Sequence, residues 1–258
     1  QVQGLVDVEE QPLRPVKGLD YAMRTFVVQA LRERHLRGLQ HGTDGVTAAL
    51  IGRARELAQL REAAAAVLLP GGTLRAITVL GEAGLGKSRL LAELQATLPA
   101  AVRAGGLWRA STQPHGRDQP YGLLRELLFR KLGVRDSQSQ AQAQQTFATA
   151  LRPVFADAAE EQIALLGQLI GLDYSASPFV AGILSDSAQR RALGLNAWVR
   201  CMSLHAARQP LVLALDDLQW ADDESLDALV HLASVAAALP LLVLCAARPE
   251  LLERRPAW

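Results

Sequence analysis

The chain has 258 residues, 50% of them hydrophobic, with 27 basic against 26 acidic side chains and a formal net charge of +1. That length holds one sizeable α/β domain plus a leader, and the even charge balance excludes the basic footprint of a nucleic-acid binder or of a protein drawn to an acidic membrane. The two cysteines, Cys201 and Cys245, sit in apolar stretches, which reads as buried reduced thiols and, with no secretory signal at the front, as a cytoplasmic location. Beginning at Gln1 without Met and ending soon after a strand-like run, the sequence reads as an excised piece of a longer protein.

Residues 1–28 are strand-like. From 29 to 41 the chain is charged and helix-permissive, and Gly42 and Gly45 break it, so 29–47 reads as a linker before a domain spanning 48–258. An Ala-rich amphipathic stretch over 53–69 predicts a helix ended by Pro70-Gly71-Gly72. The apolar run 77–80 predicts a strand, and a helix-like stretch leaves the following turn at 88–94. A second strand is expected over 102–110, weakened by Gly105-Gly106, and a helix over 121–132. The Gln/Ala/Ser-rich residues 137–145 read either as a flexible loop or as the exposed start of a helix. Helical pattern covers 147–172 and 187–208, with Asp186-Ser187 placed to cap the second stretch. The pair Arg190-Arg191 reads as a solvated face, a place near the γ-phosphate of a neighbouring subunit being the other reading, and Trp198 and Trp220 read as packing residues. Five apolar residues, Leu211-Val212-Leu213-Ala214-Leu215, predict a buried parallel strand that ends in Asp216-Asp217. The nearly uncharged run 228–247 is long enough, at about 20 residues, to cross a bilayer. Pro240 divides it, however, and Asp227, His231 and Ser234 give its first part a polar edge, so a helix and then a buried strand over 241–247 are expected, with no membrane span.

The chemistry concentrates at three strand ends. Gly81-Glu82-Ala83-Gly84-Leu85-Gly86-Lys87-Ser88 fits G-x-x-x-x-G-K-[ST] at every fixed position, between a strand and a helix. Glycines admit close approach of the backbone, successive N–H groups surround an anion, and the helix N-terminus adds roughly half a positive charge. Such a loop holds the phosphates of a nucleoside triphosphate. Lys87 is placed to reach the β- and γ-phosphates and Ser88 to give its hydroxyl to Mg²⁺, with Arg89 following in the first turn as a further binding candidate. Acids at the carboxyl end of a parallel strand lie where ligands bind in open α/β sheets. Asp216 is therefore the expected Mg²⁺ ligand and Asp217 the candidate general base for an attacking water. Arg248 ends the third strand, as a sensor of the γ-phosphate or as a surface residue before a proline turn.

The string Leu215-Asp216-Asp217-Leu218-Gln219-Trp220-Ala221-Asp222 resembles the D-D-L-x-W-A-D segment of STAND-type AAA-like ATPases, the signal-transduction ATPases with numerous domains. Leu50-Ile51-Gly52-Arg53 is similar to the family's opening motif, Pro120-Tyr121-Gly122-Leu123-Leu124 to the segment after its second strand, and Arg248-Pro249-Glu250 to its sensor 1 end. The resemblance covers 48–258. It implies a three-layer α/β/α P-loop NTPase sandwich with a mostly parallel sheet of about five strands, the phosphate-loop strand lying beside the sensor strand and the Asp216 strand one further on. It also implies ATP and Mg²⁺ as ligands, Ile51, Gly52 and Arg53 near the adenine and ribose, further domains downstream, and nucleotide-dependent homo-oligomers. Two positions depart from the pattern: Ala54 stands where many relatives carry Glu, and Gln219 where His is frequent.

The front end resembles the tail of a class III nucleotidyl cyclase domain, which closes with a strand, a Lys-Gly turn and a final strand. Val2-Gln3-Gly4-Leu5-Val6-Asp7-Val8, then Lys17-Gly18, then Tyr21-Ala22-Met23-Arg24-Thr25-Phe26-Val27-Val28 carry that likeness over residues 1–28. Together the two resemblances imply an ATP-driven regulatory switch attached to a cyclase. A nucleotide-holding scaffold without hydrolysis and the ATPase core of a LuxR-type transcription regulator are the alternatives.

Overall fold

Two aliphatic runs with no charge before their carboxyl ends are stable only in a sheet covered on both faces. In the computed structural model, which describes residues 6–15, 22–31 and 52–258, these runs are β5 (Leu211–Asp216) and β6 (Leu241–Ala247), buried along their whole length. With β3 (Arg75–Leu80) and β4 (Leu107–Ser111) they form a four-stranded sheet in the order β3-β6-β5-β4, all neighbours parallel. The phosphate-loop strand thus lies beside the strand that precedes Arg248, and the Asp216 strand is one further on, as the resemblance implies. Among the described residues this sheet has four strands rather than about five, the chain from β4 to β5 being helical.

Side chains alternate across the buried strands. Val212 and Ala214 of β5, with Leu242, Leu244 and Ala246 of β6, pack with Leu57, Leu60 and Val67 of α1 (Ala54–Leu68) and Leu90, Leu91 and Leu94 of α2 (Lys87–Thr97). Leu211, Leu213 and Leu215, with Leu241, Val243 and Cys245, belong to a second core. That core is completed by α3 (Gly122–Leu132), α4 (Gln140–Phe155), α5 (Ala159–Leu169), α6 (Pro178–Ala181), α7 (Ser187–Arg208) and α8 (Asp223–Val235). The result is a three-layer α/β/α P-loop NTPase-like sandwich. Burial pushes the free thiols of Cys201 and Cys245 up to about 12.

Several element boundaries differ from the sequence reading. Residues 102–106 form a π-helical turn and β4 starts only at Leu107. A Cβ on Gly106 would stand 2.3 Å from the Pro210 carbonyl oxygen, so bare backbone is required where this turn meets the start of β5. The Gln/Ala/Ser-rich segment is a helix start: Ser139 accepts from Gln142 N, and the Gln142 side chain accepts from Ser139 N. The stretch 147–172 is interrupted soon after Pro153, at Ala156, whose φ is 51°. The run 228–247 is divided, as expected, into the end of α8 and β6, and among the described residues no helix is long and apolar enough to cross a membrane.

The chain separates into two compact units, Gln1–Ala49 and Leu50–Trp258. In the first, β1 (Val6–Pro15) and β2 (Ala22–Leu31) pair antiparallel, from Val6↔Leu31 to Pro15↔Ala22. Gln29, Ala30 and Leu31, read from the sequence as linker, therefore continue the strand. Lys17, Gly18 and the remaining linker residues lie outside the described residues.

Asp222 ties α8 to α3. Its carboxylate is 1% exposed; it caps α8 by accepting from Ser225 N at 2.7 Å, and accepts from Tyr121 N at 2.8 Å and Leu123 N at 3.3 Å. Those bonds hold Tyr121 at φ 59°, a left-handed conformation unusual for a bulky residue. Asp222→Ala removes a cap and leaves buried N–H groups unpaired, a predicted loss of about 3–5 kcal/mol in denaturant unfolding. Asp222→Asn, which keeps the Oδ1 acceptor, is predicted to lose less.

Candidate functional site

The carboxyl ends of β3, β5 and β6 meet at one edge of the sheet. Gly81 N donates to Ala247 O at 3.2 Å, fixing the start of the loop to the end of β6, and Thr112 N donates to Asp216 O at 3.1 Å, fixing the residue after β4 to the end of β5. Within the loop Gly84 (φ 81°) and Gly86 (φ 78°) take left-handed conformations that glycine adopts without penalty. Gly86 is the N-cap of α2, whose first turn carries neither a side-chain cap nor an acid. Its leading N–H groups and positive dipole end are therefore open to an anion.

The Lys87 ammonium donates to Gly81 O at 2.6 Å and Glu82 O at 2.9 Å, which holds it against the loop. Beside it, the Ser88 hydroxyl lies close enough to the Asp216 carboxyl to lower its pKa. Asp216 is 8% exposed. Burial pushes its pKa above the ordinary carboxylate value; the nearby Ser88 hydroxyl, the Asp217 N–H and the Lys87 charge pull it down, and the Asp217 charge pushes it further up. Phosphate-loop lysine, hydroxyl and buried acid thus form one cluster, although they come from strands that are not neighbours in the sheet.

Asp217 is left-handed (φ 59°, ψ 36°), a conformation for which Asp is enriched. Three contacts hold it: its N–H donates to Asp216 Oδ1 (2.9 Å), its carbonyl accepts from Thr112 Oγ1 (2.6 Å), and its Oδ1 accepts from Gln219 Nε2 (2.9 Å). Arg248 follows β6 directly, is half-buried, and donates its backbone N–H to Gln219 Oε1 at 3.0 Å.

The remaining candidates divide. Arg53 pairs with Glu56 at 2.8 Å and donates to Leu85 O at 3.3 Å, so the opening motif braces the phosphate loop itself. Gly52 sits beside it at φ 78°, and Ile51 lies outside the described residues. Glu82, Ala83 and Leu85 are exposed at the loop tip. Arg89 pairs with Glu93 one turn along α2, at 2.5 Å. Arg191 pairs with Asp227 of α8, and Arg190 donates to Leu184 O, which accords with a surface role for the pair. Thr112, Gln219 and Arg117 were not foreseen as site residues. Arg117 Nε and an Nη donate to Gln219 O (3.1 and 2.6 Å) and its guanidinium lies 4.7 Å from the Trp220 ring centroid. The replacement of a frequent His by Gln219 was the one available signal.

The donors fit a hard cation bound with a triphosphate: one carboxylate and one hydroxyl, the rest of an octahedron being phosphate oxygens and water. Among the described residues no three His, Cys, Asp or Glu side chains gather as a metal cluster. A family model described as the AAA ATPase domain matches residues 49–244. No curated protein matches the chain.

A carboxyl with a raised folded-state pKa is a stability cost that develops as pH rises from its unfolded pKa through its folded one, and is full above both. Asp216→Asn removes the buried charge. Its thermal midpoint without nucleotide is predicted to exceed wild type at pH 7, the gain vanishing below about pH 4, while stabilisation by ATP and Mg²⁺ is lost. Thermal unfolding across pH, with and without ligand, measures both.

Proposed function

The chain belongs to the AAA ATPase domain family, and from that premise we propose that it binds ATP with Mg²⁺ and hydrolyses it as the regulatory switch of a multidomain STAND-type signalling protein. The observation that carries this reading is the approach of Lys87 and Ser88, opening α2, to the buried carboxyl of Asp216, ending β5. It brings the phosphate loop and the acid pair to one point.

In this reading the loop N–H groups and Lys87 hold the β- and γ-phosphates, and Ser88 and Asp216 hold Mg²⁺, which when bound neutralises charge on the phosphate oxygens. Asp217 orients a water and accepts its proton as the oxygen attacks the γ-phosphorus and the bond to the β-phosphate oxygen breaks, leaving ADP and phosphate. Arg248 faces the γ-phosphate. Arg53 acts through Leu85, joining the adenine end of the site to the loop.

For the switch to transmit, one conformation must bind the γ-phosphate better than another. We assign residues 1–28 to a class III cyclase tail, supported by strands on either side of Lys17-Gly18, and we extend that tail to Leu31. The ATPase then controls an attached nucleotidyl cyclase in the cytoplasm, with downstream domains and nucleotide-dependent self-association completing the device.

Wild type is predicted to gain about 2.7 kcal/mol at an ATP–Mg²⁺ concentration 100 times Kd, and Lys87→Ala to gain little, by thermal shift. Asp217→Asn is predicted to bind ATP–Mg²⁺ normally and lose turnover by at least about a hundredfold. A full thermal shift for Lys87→Ala rejects the phosphate-loop assignment; unchanged phosphate release by Asp217→Asn makes the domain a nucleotide-dependent scaffold.

A further inference from the structure

Gln219 is 1% exposed, yet every polar atom of its side chain is matched. One arm of the amide donates to the Asp217 carboxylate at 2.9 Å. The other accepts from the Arg248 backbone N–H at 3.0 Å. The orientation is unambiguous, since a backbone N–H only donates and a carboxylate only accepts. The amide therefore spans the ends of two adjacent strands, β5 and β6. Its own main chain is immobilised by the paired Arg117 bonds to its carbonyl, with that guanidinium stacked on Trp220.

We infer that Gln219 is a positioning residue for hydrolysis, holding the Asp217 carboxylate by Oδ1 so that Oδ2 is presented to the attacking water, and linking that orientation to the backbone at the end of β6. The inference rests on the reading of Asp217 as the base. A displacement of the Arg248 peptide, the point at which the γ-phosphate would be sensed, pulls on the acceptor end of the amide and changes how the donor end holds Asp217. The position demands a side chain with one donor and one acceptor at once, and neutral histidine supplies both from a rigid group of similar reach, as the shorter amide of asparagine does not. That accounts physically for Gln standing where His is frequent in the family it resembles.

Three variants separate the arms of the bridge. Gln219→Glu keeps an acceptor for the Arg248 N–H but sets a carboxylate against Asp217. Gln219→Leu removes both bonds. Gln219→His restores a donor and an acceptor. Single-turnover phosphate release and the Kd for ATP–Mg²⁺ are measured separately. The expected result for Gln219→Glu is a fall of about a hundredfold in rate with Kd within about threefold of wild type, and for Gln219→His a rate within about fivefold of wild type. Hydrogen exchange at the Arg248 amide reads the second arm without turnover: slow in wild type and Gln219→Glu, faster in Gln219→Leu. A wild-type rate in Gln219→Glu, a Kd that worsens in step with the rate in both Gln219→Glu and Gln219→His, or unchanged exchange in Gln219→Leu overturns the inference. Asp217→Asn, run in parallel, distinguishes the failures. If it is inactive while Gln219→Glu is fully active, only the positioning role falls; if it hydrolyses normally, the base reading falls and takes this one with it.

Discussion

The approach of Ser88 to Asp216 crosses a strand. The loop that carries Ser88 leaves β3, Asp216 ends β5, and β6 lies between them. Adjacent strands are about 4.8 Å apart, so the loop must travel roughly 10 Å over the end of β6 to bring its hydroxyl to that acid. The bond from Gly81 N to Ala247 O anchors the start of this path, and left-handed glycines at 84 and 86 turn it back into α2. The strand it passes ends in small residues, Ala246 and Ala247. The site is thus a consequence of strand order: were β3 and β5 exchanged with other positions, neither Lys87 nor Ser88 would meet the acid.

Holding a carboxylate there is unfavourable before any ligand arrives. Asp216 is buried and next to another carboxylate, and its pKa is raised accordingly. The surrounding groups offset part of the cost. Rigidity serves the same end. Asp222 fastens α8 to α3, Thr112 holds the Asp217 carbonyl, and Arg117 and Gln219 lock the short turn between the acids and α8. A constellation for phosphoryl transfer works mostly by positioning and charge stabilisation, and here Asp216 O, Asp217 N, Asp217 O and Gln219 O each have a partner.

Much of this was visible in the sequence wherever the determinant was local. The bounds of α7 follow from its apolar period and the Asp186 cap, and β5 and β6 from uninterrupted aliphatic runs. The glycine turn between β3 and α2 follows from spacing alone. What escaped notice depends on distant chain. The late start of β4 is imposed by the Pro210 carbonyl against Gly106. The role of Asp222 needs Tyr121, 101 residues away, and the bridge through Gln219 needs Arg248, 29 residues away. Arg53 meets the loop through Leu85, a contact its motif does not suggest. Spacing reports which groups leave a strand end; it does not report which of them touch.

The convergence of loop and acid on one bound cation is tested most directly by a double-mutant cycle on nucleotide affinity. Calorimetric Kd values for ATP would be compared in wild type, Ser88→Ala, Asp216→Ala and the double variant, with Mg²⁺ and again with a chelator. Convergence predicts a coupling of about 1 kcal/mol or more that requires Mg²⁺. Effects that add to within about 0.5 kcal/mol with Mg²⁺ present would contradict it.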